Sequence, residues 1–272
     1  MKKFIADKNR KLSKLALIHL NDLSYAELMR ALRKKDVKVN GGRVDKDLLL
    51  NVGDVVEIYY APTQAQGFSV VFSDENVLII NKKSGCASED VFAKILVEYP
   101  SAKFIHRLDR NTSGLMIFAL NEQAEKELLL GFKERVFIKK YHAKVKGVPK
   151  KQSSILTAYL LKDEKNALVT VTDNKVKGSV MIKTGYEVLS QDGGNAVLSV
   201  TLYTGKTHQI RAHLAHIGHP ILGDGKYGDF ALNAELKLKR QLLTATSLTL
   251  KFSKDSCLYY LNDKTYQIKS EF

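Results

Sequence analysis

His106-Arg107-Leu108-Asp109-Arg110-Asn111-Thr112-Ser113-Gly114 runs straight into Leu115-Met116-Ile117-Phe118-Ala119, and residues 122–133 follow with Ala124, Leu128, Leu129 and Phe132 at helical spacing. The short apolar run, bounded by Gly114 and Asn121, predicts a strand. The segment after it predicts an amphipathic helix. Three more short apolar runs predict strands: Ser69-Val70-Val71-Phe72, Val77-Leu78-Ile79-Ile80 and Ala196-Val197-Leu198-Ser199-Val200. Lys139-Lys140-Tyr141-His142-Ala143 opens a short alternating strand. A second helix is predicted over 207–217, with Ile210, Leu214 and Ile217 facing the core. Strands and helices in this mixture predict an α+β domain over residues 69–272, a mixed but mainly antiparallel sheet with flanking helices.

The first sixty residues read as a separate unit. Ser24 and Glu27 form a capping-box signature, and Tyr25, Leu28, Met29 and Leu32 recur at helical spacing. Arg30, Arg33, Lys34 and Lys35 occupy the other faces of that helix, predicted over 24–35. Val37-Lys38-Val39-Asn40-Gly41-Gly42-Arg43-Val44 alternates around Asn-Gly-Gly, a hairpin signal. Leu48-Leu49-Leu50 leads to a turn at Gly53-Asp54, and residues 55–60 close as a strand. The predicted order is helix, helix, hairpin, strand. Residues 1–61 form this domain, and 62–68, polar with Pro62 and Gly67, form a linker.

Composition narrows the function classes. The chain has 272 residues, 44% hydrophobic and 26% charged, which excludes wholesale disorder. No apolar run approaches the ~18 residues of a membrane helix, and the N-terminus has no signal-peptide core. Cys86 and Cys257 lie far apart, so neither a disulfide framework nor a zinc ribbon is expected. A soluble, cytoplasmic protein is expected. Its net charge of +14 points to a polyanionic partner. Plain solubility charge is the alternative, and membrane-surface binding fits less well.

Two polar clusters can carry chemistry. Asp109 stands between Arg107 and Arg110, which should hold it ionised as a nucleophile or general base. A loop with a structural ion pair is the equally open alternative. The second cluster is Tyr203-Thr204-Gly205-Lys206-Thr207-His208-Gln209-Ile210-Arg211-Ala212-His213. Gly205-Lys206-Thr207 is no phosphate-binding P-loop, because position 200 is Val where that motif needs Gly. His208, His213, His216 and His219 match no common zinc spacing, so no metal is expected. Tyr141 alone is a strand aromatic.

Taken together, the motifs resemble known families. The helix over 24–35, Val37-x-Val39-Asn40-Gly41 and Val52-Gly53-Asp54-Val55-Val56 resemble the S4 RNA-binding domain. That resemblance implies a phosphate-binding face of Arg30, Arg33, Lys34, Lys35 and Lys38, positioning an RNA backbone without reading sequence. The stretch His106–Leu115 looks like the catalytic signature of the RluA-type pseudouridine synthases. Their other landmarks recur in order: Asn81-Lys82-Lys83-Ser84-Gly85, Lys139-Lys140-Tyr141, Thr204–His213, and Gly218-His219-Pro220-Ile221-x-Gly223-Asp224-x-x-Tyr227-Gly228.

The resemblance implies isomerisation of uridine to pseudouridine in RNA, without cofactor or metal; the sequence is silent on oligomeric state, and a monomer is the default expectation. Asp109 would be the nucleophile, at uracil C6 or ribose C1′. Tyr141 would lie against the base, with a possible part in proton removal, and Arg211 would pair with Asp109. Arg107 would fill the gap left by a flipped uridine. Arg110, Lys206 and His208 would contact RNA. Large-subunit ribosomal RNA or a pre-ribosomal particle is the implied substrate, with transfer RNA the alternative. The rival outside the family is a non-catalytic S4-type RNA-binding or ribosome-assembly factor, and a carboxylate-nucleophile hydrolase is a second. Three positions depart from the family pattern: Lys83 for Pro, Lys206 for Arg, and Thr244 where His is common.

Overall fold

The computed structural model describes residues 1–20, 23, 25–60, 67–163 and 166–272, with residues 25–27 described by backbone alone. The described chain divides into two compact units, Met1–Gly67 with Glu89–Pro100, and Phe68–Ser88 with Ser101–Phe272. Among the described residues no helix is long and apolar enough to cross a membrane.

The first unit runs β1 (Lys2–Ile5), β2 (Arg10–Lys11), α1 (Leu12–His19), α2 (Tyr25–Arg33), β3 (Val37–Val39), β4 (Gly42–Val44), β5 (Leu49–Leu50) and β6 (Val55–Ile58). Four strands pair antiparallel in the order β1-β6-β3-β4, and β2 pairs β5. Leu12, Leu15 and Ala16 of α1, Leu28 and Leu32 of α2, and Val37, Val56 and Ile58 of the strands share one core. The predicted hairpin is present: Asn40 and Gly41 both take positive φ, +50° and +80°, as a tight two-residue turn demands. Asn40 also donates to Asp54 (2.8 Å) and accepts the Val55 amide (2.9 Å), fastening the hairpin to the next turn.

Helix α2 ends two residues before the predicted boundary. Lys35 adopts φ +58°, its amide bonds Leu32 O, and the Asp36 amide reaches back to Ala31 O. That pair of bonds is a Schellman stop, so Lys34 and Lys35 lie on a turn, not on the helix. The strand β1 was not predicted. Of Lys2-Lys3-Phe4-Ile5 only Phe4 is buried, which leaves no alternation to detect. The Ser24–Glu27 capping box and linker residues 62–66 lie outside the described residues.

The second unit contains β7 (Phe68–Ser73), β8 (Val77–Lys82), β9 (Lys103–Phe104), β10 (Ser113–Ala119), α4 (Glu122–Glu134), β11 (Ile138–Val145), β12 (Ser153–Asp163), β13 (Leu168–Thr172), β14 (Val180–Asp192), β15 (Asn195–Leu202), α5 (Gln209–His216), α6 (Phe230–Glu235), β16 (Leu243–Thr249) and β17 (Thr265–Gln267). Helix α3 (Ser88–Glu98) follows β8. The strands form one sheet in the order β13-β12-β14-β15-β11-β16-β10-β8-β7, with β17 on β16 and β9 on β10. It is mixed and mainly antiparallel, as expected. Its parallel contact joins β10 to β16 through Ser113↔Thr244 and Gly114↔Ala245. Gly114 is required there, because its φ is +119° and a Cβ would lie 2.3 Å from Ala245 O.

All four apolar runs singled out as strands are strands. Helix α4 starts where Asn121 caps the Ala124 amide at 2.9 Å. The predicted helix over 207–217 is shorter. Gln209 Oε1 accepts from both Thr204 Oγ1 (2.9 Å) and the Lys206 amide (3.2 Å), and His208 takes φ +54°. This holds residues 204–208 as a loop, and the helix begins at Gln209. Helix α5 then packs on β13 and β14, where Ala212 joins Ala158, Leu160, Val169, Val171 and Ile182.

Candidate active site

The segment between β9 and β10 carries Asp109, and its neighbours pin it from several sides. Lys82, fully buried, donates its Nζ to the carbonyls of Lys83 (3.1 Å), Cys86 (2.8 Å) and Arg110 (3.1 Å). Burial, the largest influence, pulls this ammonium down to about 8. The Gly85 amide also bonds Arg110 O (2.9 Å), and Ser84 Oγ bonds Asn111 O (2.8 Å). Ser88 Oγ accepts the Leu108 amide (3.0 Å) and donates to the Leu108 carbonyl (2.8 Å). Gln241 donates to Thr112 Oγ1 at 2.7 Å, and Ser113 Oγ meets Thr244 Oγ1 at 2.8 Å. His106 accepts the Ile117 amide on Nε2 (3.1 Å) and stacks on Phe132. Burial, then Lys139, drives His106 down to about 3, so it stays neutral and keeps that lone pair. The loop is thus tied by side-chain and main-chain bonds on several sides, the kind of support that holds a side chain in one geometry.

Asp109 is held by a cation from 102 residues later in the chain. Arg211, in the first turn of α5, places Nη1 at 2.8 Å from Asp109 Oδ2. Its other edge grips Asp224 with two bonds, Nε to Oδ2 (2.7 Å) and Nη2 to Oδ1 (2.9 Å). Asp224 is fully buried and also accepts the Lys226 (2.8 Å) and Tyr227 (3.1 Å) amides. Burial pushes the Asp224 carboxyl up, but Arg211 and the two amides outweigh it and leave the group below its usual range. Two carboxylates on one guanidinium carry a net charge of −1. Asp224 takes the bidentate grip, and Asp109 receives a single bond on Oδ2 from the same guanidinium.

Two aromatic groups complete the site. Tyr141 sits in β11 at a bulge against β16, between Lys140 and Tyr141, and is buried. Burial and then the Asp109 charge push its phenol above the usual tyrosine range. It therefore meets a substrate as a neutral phenol, suited to stacking and hydrogen bonding more than to removing a proton. Tyr227 lies under the Arg211 guanidinium, 5.2 Å from ring centre to Cζ. Its hydroxyl accepts the Val169 amide (2.9 Å) and bonds His208 Nδ1 (2.9 Å), and His208 Nε2 lies 4.0 Å from Asp109 Oδ2.

Comparison with known proteins places the chain in a family. The sequence model of the RNA pseudouridylate synthase family matches residues 76–216, which span the Asp109 loop, Tyr141 and Arg211. A ribosomal large subunit pseudouridine synthase C of Vibrio parahaemolyticus is 30% identical over 84% of this chain and 81% of its own length. A dual-specificity RNA pseudouridine synthase RluA of Escherichia coli O157:H7 is 32% identical over 78% of this chain and 98% of its own. The chain belongs to the RNA pseudouridylate synthase family. It is an isomerase that converts uridine to pseudouridine. The fold agrees: human RNA pseudouridylate synthase domain containing 1 superposes with TM-score 0.62 at 22% identity, covering 78% of this chain and 94% of that one.

In this pseudouridine synthase the structure brings Asp109, Tyr141, His208 and Arg211 to one place. Arg107 and Arg110 flank Asp109 in sequence with exposed side chains, and Lys206 is exposed on the loop before α5. The cation placed 2.8 Å from Asp109 Oδ2 is Arg211, from the first turn of α5. Arg30, Arg33, Lys34 and Lys35 are exposed in the first unit, and half-buried Lys38 lies over the Tyr59 ring. His213, His216 and His219 bond Thr184, Asp173 and the Lys146 carbonyl respectively. Among the described residues no group of three His, Cys, Asp or Glu is placed to hold a metal ion. Asp224, Tyr227 and Lys82 received no role from sequence. The first two were visible only as letters in Gly223-Asp224-x-x-Tyr227, and Lys82 as one lysine among many.

Proposed function

We propose that this pseudouridine synthase acts on large-subunit ribosomal RNA, free or within a pre-ribosomal particle, with Asp109 as the nucleophile. The carrying observation is the Asp109–Arg211–Asp224 arrangement: an aimed, half-buried carboxylate in a loop tied on several sides, on a strongly basic chain. Asp109 attacks the target nucleotide at C6 or C1′, and the N1–C1′ bond breaks. The base rotates, C5 bonds to C1′, the bond to Asp109 breaks to regenerate its carboxylate, and the C5 proton leaves to solvent. Every step uses side chains alone. Tyr141 lies against the base. Arg107 fills the gap left by the flipped uridine, whose reacting atoms are hidden while it is stacked. Arg110 and Lys206 contact phosphates nearby.

The choice of ribosomal RNA rests on the names of the relatives and on the first unit. Residues 1–61 act as an S4-like RNA-binding domain, 62–68 as a linker and 69–272 as the catalytic domain. Four exposed cations on α2 and the turn after it, with Lys38, supply a backbone-positioning face. The enzyme works as a cytoplasmic monomer. Tritium release from ribosomal RNA labelled at uridine C5 tests the proposal. Wild type releases tritium, and Asp109→Asn, which keeps the shape but not the nucleophile, binds RNA and releases none. Turnover by Asp109→Asn at the wild-type rate refutes the nucleophile. Release from transfer RNA alone moves the substrate.

A further inference from the structure

His208 has three features that its place in a loop does not require. It occupies the N-cap of α5 with left-handed backbone, φ +54° and ψ +14°, where extended backbone is the rule, and its side chain does not cap the helix. Left-handed backbone in a non-glycine residue is strained and persists where surroundings dictate it. Here they do. Gln209, buried, ties the loop through Thr204 and Lys206 and anchors itself on Thr184 Oγ1 at 2.9 Å.

The second feature is the ring's proton. Tyr227 Oη accepts the Val169 amide (2.9 Å), and among the described residues His208 Nδ1, 2.9 Å away, is the acceptor within reach of its own proton. The hydrogen-bond network thereby assigns the histidine proton to Nε2. Third is the direction of that nitrogen. Nε2 faces Asp109 Oδ2 at 4.0 Å, the oxygen that Arg211 already holds at 2.8 Å. At that distance no hydrogen bond to Asp109 exists. Among the described residues Nε2 has no hydrogen-bond partner, so a donor is aimed into the space above the carboxylate.

We propose that His208 is a catalytic residue whose neutral Nε2–H donates to a carbonyl oxygen of the target uracil when the base is detached. The proposal rests on the pseudouridine synthase chemistry. Breaking N1–C1′ leaves the bonding pair on the uracil ring, spread over N1 and the carbonyl oxygens. A base held at Asp109 lies within reach of a donor 4.0 Å from that carboxylate. Burial, helped by Arg211 and Lys226 and opposed by Asp109 and Asp224, keeps the ring below the usual histidine range. His208 therefore donates a hydrogen bond and keeps its proton. The charge it stabilises is quenched when C5 bonds to C1′, and the C5 proton passes to water.

The test compares His208→Gln with His208→Asn and His208→Leu. The Gln amide places an N–H near the position of Nε2. The Asn amide keeps a partner for Tyr227 on the Nδ1 side but lacks the far donor. Tritium release from C5-labelled large-subunit ribosomal RNA is measured in single turnover with saturating enzyme, beside RNA affinity and Tm. His208→Asn and His208→Leu fall about 100-fold in rate with affinity unchanged, as for the loss of one donor to a developing anion. His208→Gln recovers most of that loss. A wild-type rate in His208→Asn, a defect confined to RNA affinity, or a Gln variant as slow as Leu with unchanged Tm overturns the proposal. Should His208→Leu fail to fold, the Gln–Asn contrast decides. Wild-type silence on ribosomal and transfer RNA sinks the pseudouridine chemistry and this proposal together, whereas normal His208 variants sink this proposal alone.

Discussion

Asp224→Asn removes one charge and little volume from a site where both partners are buried. In the wild type, Arg211 makes two bonds to Asp224 and one to Asp109. Removing one member of a buried pair costs about 3–5 kcal/mol, and the retained Asn carbonyl argues for the lower end, ~3 kcal/mol. For a unit of this size each kcal/mol moves Tm by roughly 2–4 °C, so a fall of about 6–12 °C is expected. Activity falls further than stability requires. The Asn amide turns a donor toward the guanidinium, Arg211 shifts toward Asp109, and this proposed nucleophile becomes one half of a closed ion pair. A displacement on the order of 1 Å is enough for about a 100-fold loss. The pH dependence has a definite sign. Asp224 lies below its usual range in the folded protein, so its stabilisation is complete above the unfolded value of about 3.9 and is lost as pH falls through the folded value. The gap between wild type and variant therefore stays constant from neutral pH down to about 4 and narrows below it. Circular-dichroism melts across that range and single-turnover tritium release are the measurements. An unchanged Tm with a wild-type rate would show that the buried clamp neither supports the fold nor aims Arg211.

Two further perturbations test the surroundings. Lys82→Met removes an ammonium that burial has pulled down to about 8. Since the unfolded lysine titrates near 10.4, the folded state releases its proton first, and wild-type stability rises relative to the variant between those two values. Parallel Tm curves for the two proteins over that interval would remove the charge from the account. Neutralising Arg33, Lys34 and Lys35 together weakens RNA binding and flattens the plot of log affinity against log salt by about 2–3 units. An unchanged slope would mean that the end of α2 does not touch phosphate.

The ease with which parts of this fold are read follows from how local their causes are. The Asn40-Gly41 hairpin and the strands at 77–82 and 113–119 are written in two to seven consecutive residues. The class of the fold followed from such segments. Strand β1 was illegible because one buried side chain in four carries no period. The start of α5 was misplaced because the competing interaction is tertiary: Gln209 reaches Thr184 on β14, and no local propensity records that. The site divides in the same way. Asp109 stood out through its flanking arginines, yet its ion pair comes from Arg211, and the second carboxylate on that arginine lies 13 residues further on. Ordered motifs could place these residues in one family's site. Only the folded structure brings the two carboxylates onto one guanidinium.

Two of the three departures from the family pattern, Lys83 and Lys206, fall where the altered side chain is not what the structure uses. At Lys83, the group that matters is the main-chain carbonyl accepting from Lys82, which any residue supplies. At Lys206, the amide bonds Gln209 and sets the loop that orients His208, while the side chain is exposed. A proline there would break the loop, but lysine and arginine serve it equally. Thr244 differs, because its side chain is buried and used. Its hydroxyl meets Ser113 at the parallel contact between β10 and β16, where Gly114 admits no Cβ. A short polar side chain closes that junction directly behind the Asp109 loop. The replacement of a larger ring by Thr244 therefore belongs to the packing that holds the loop, and the reacting groups are left as they were.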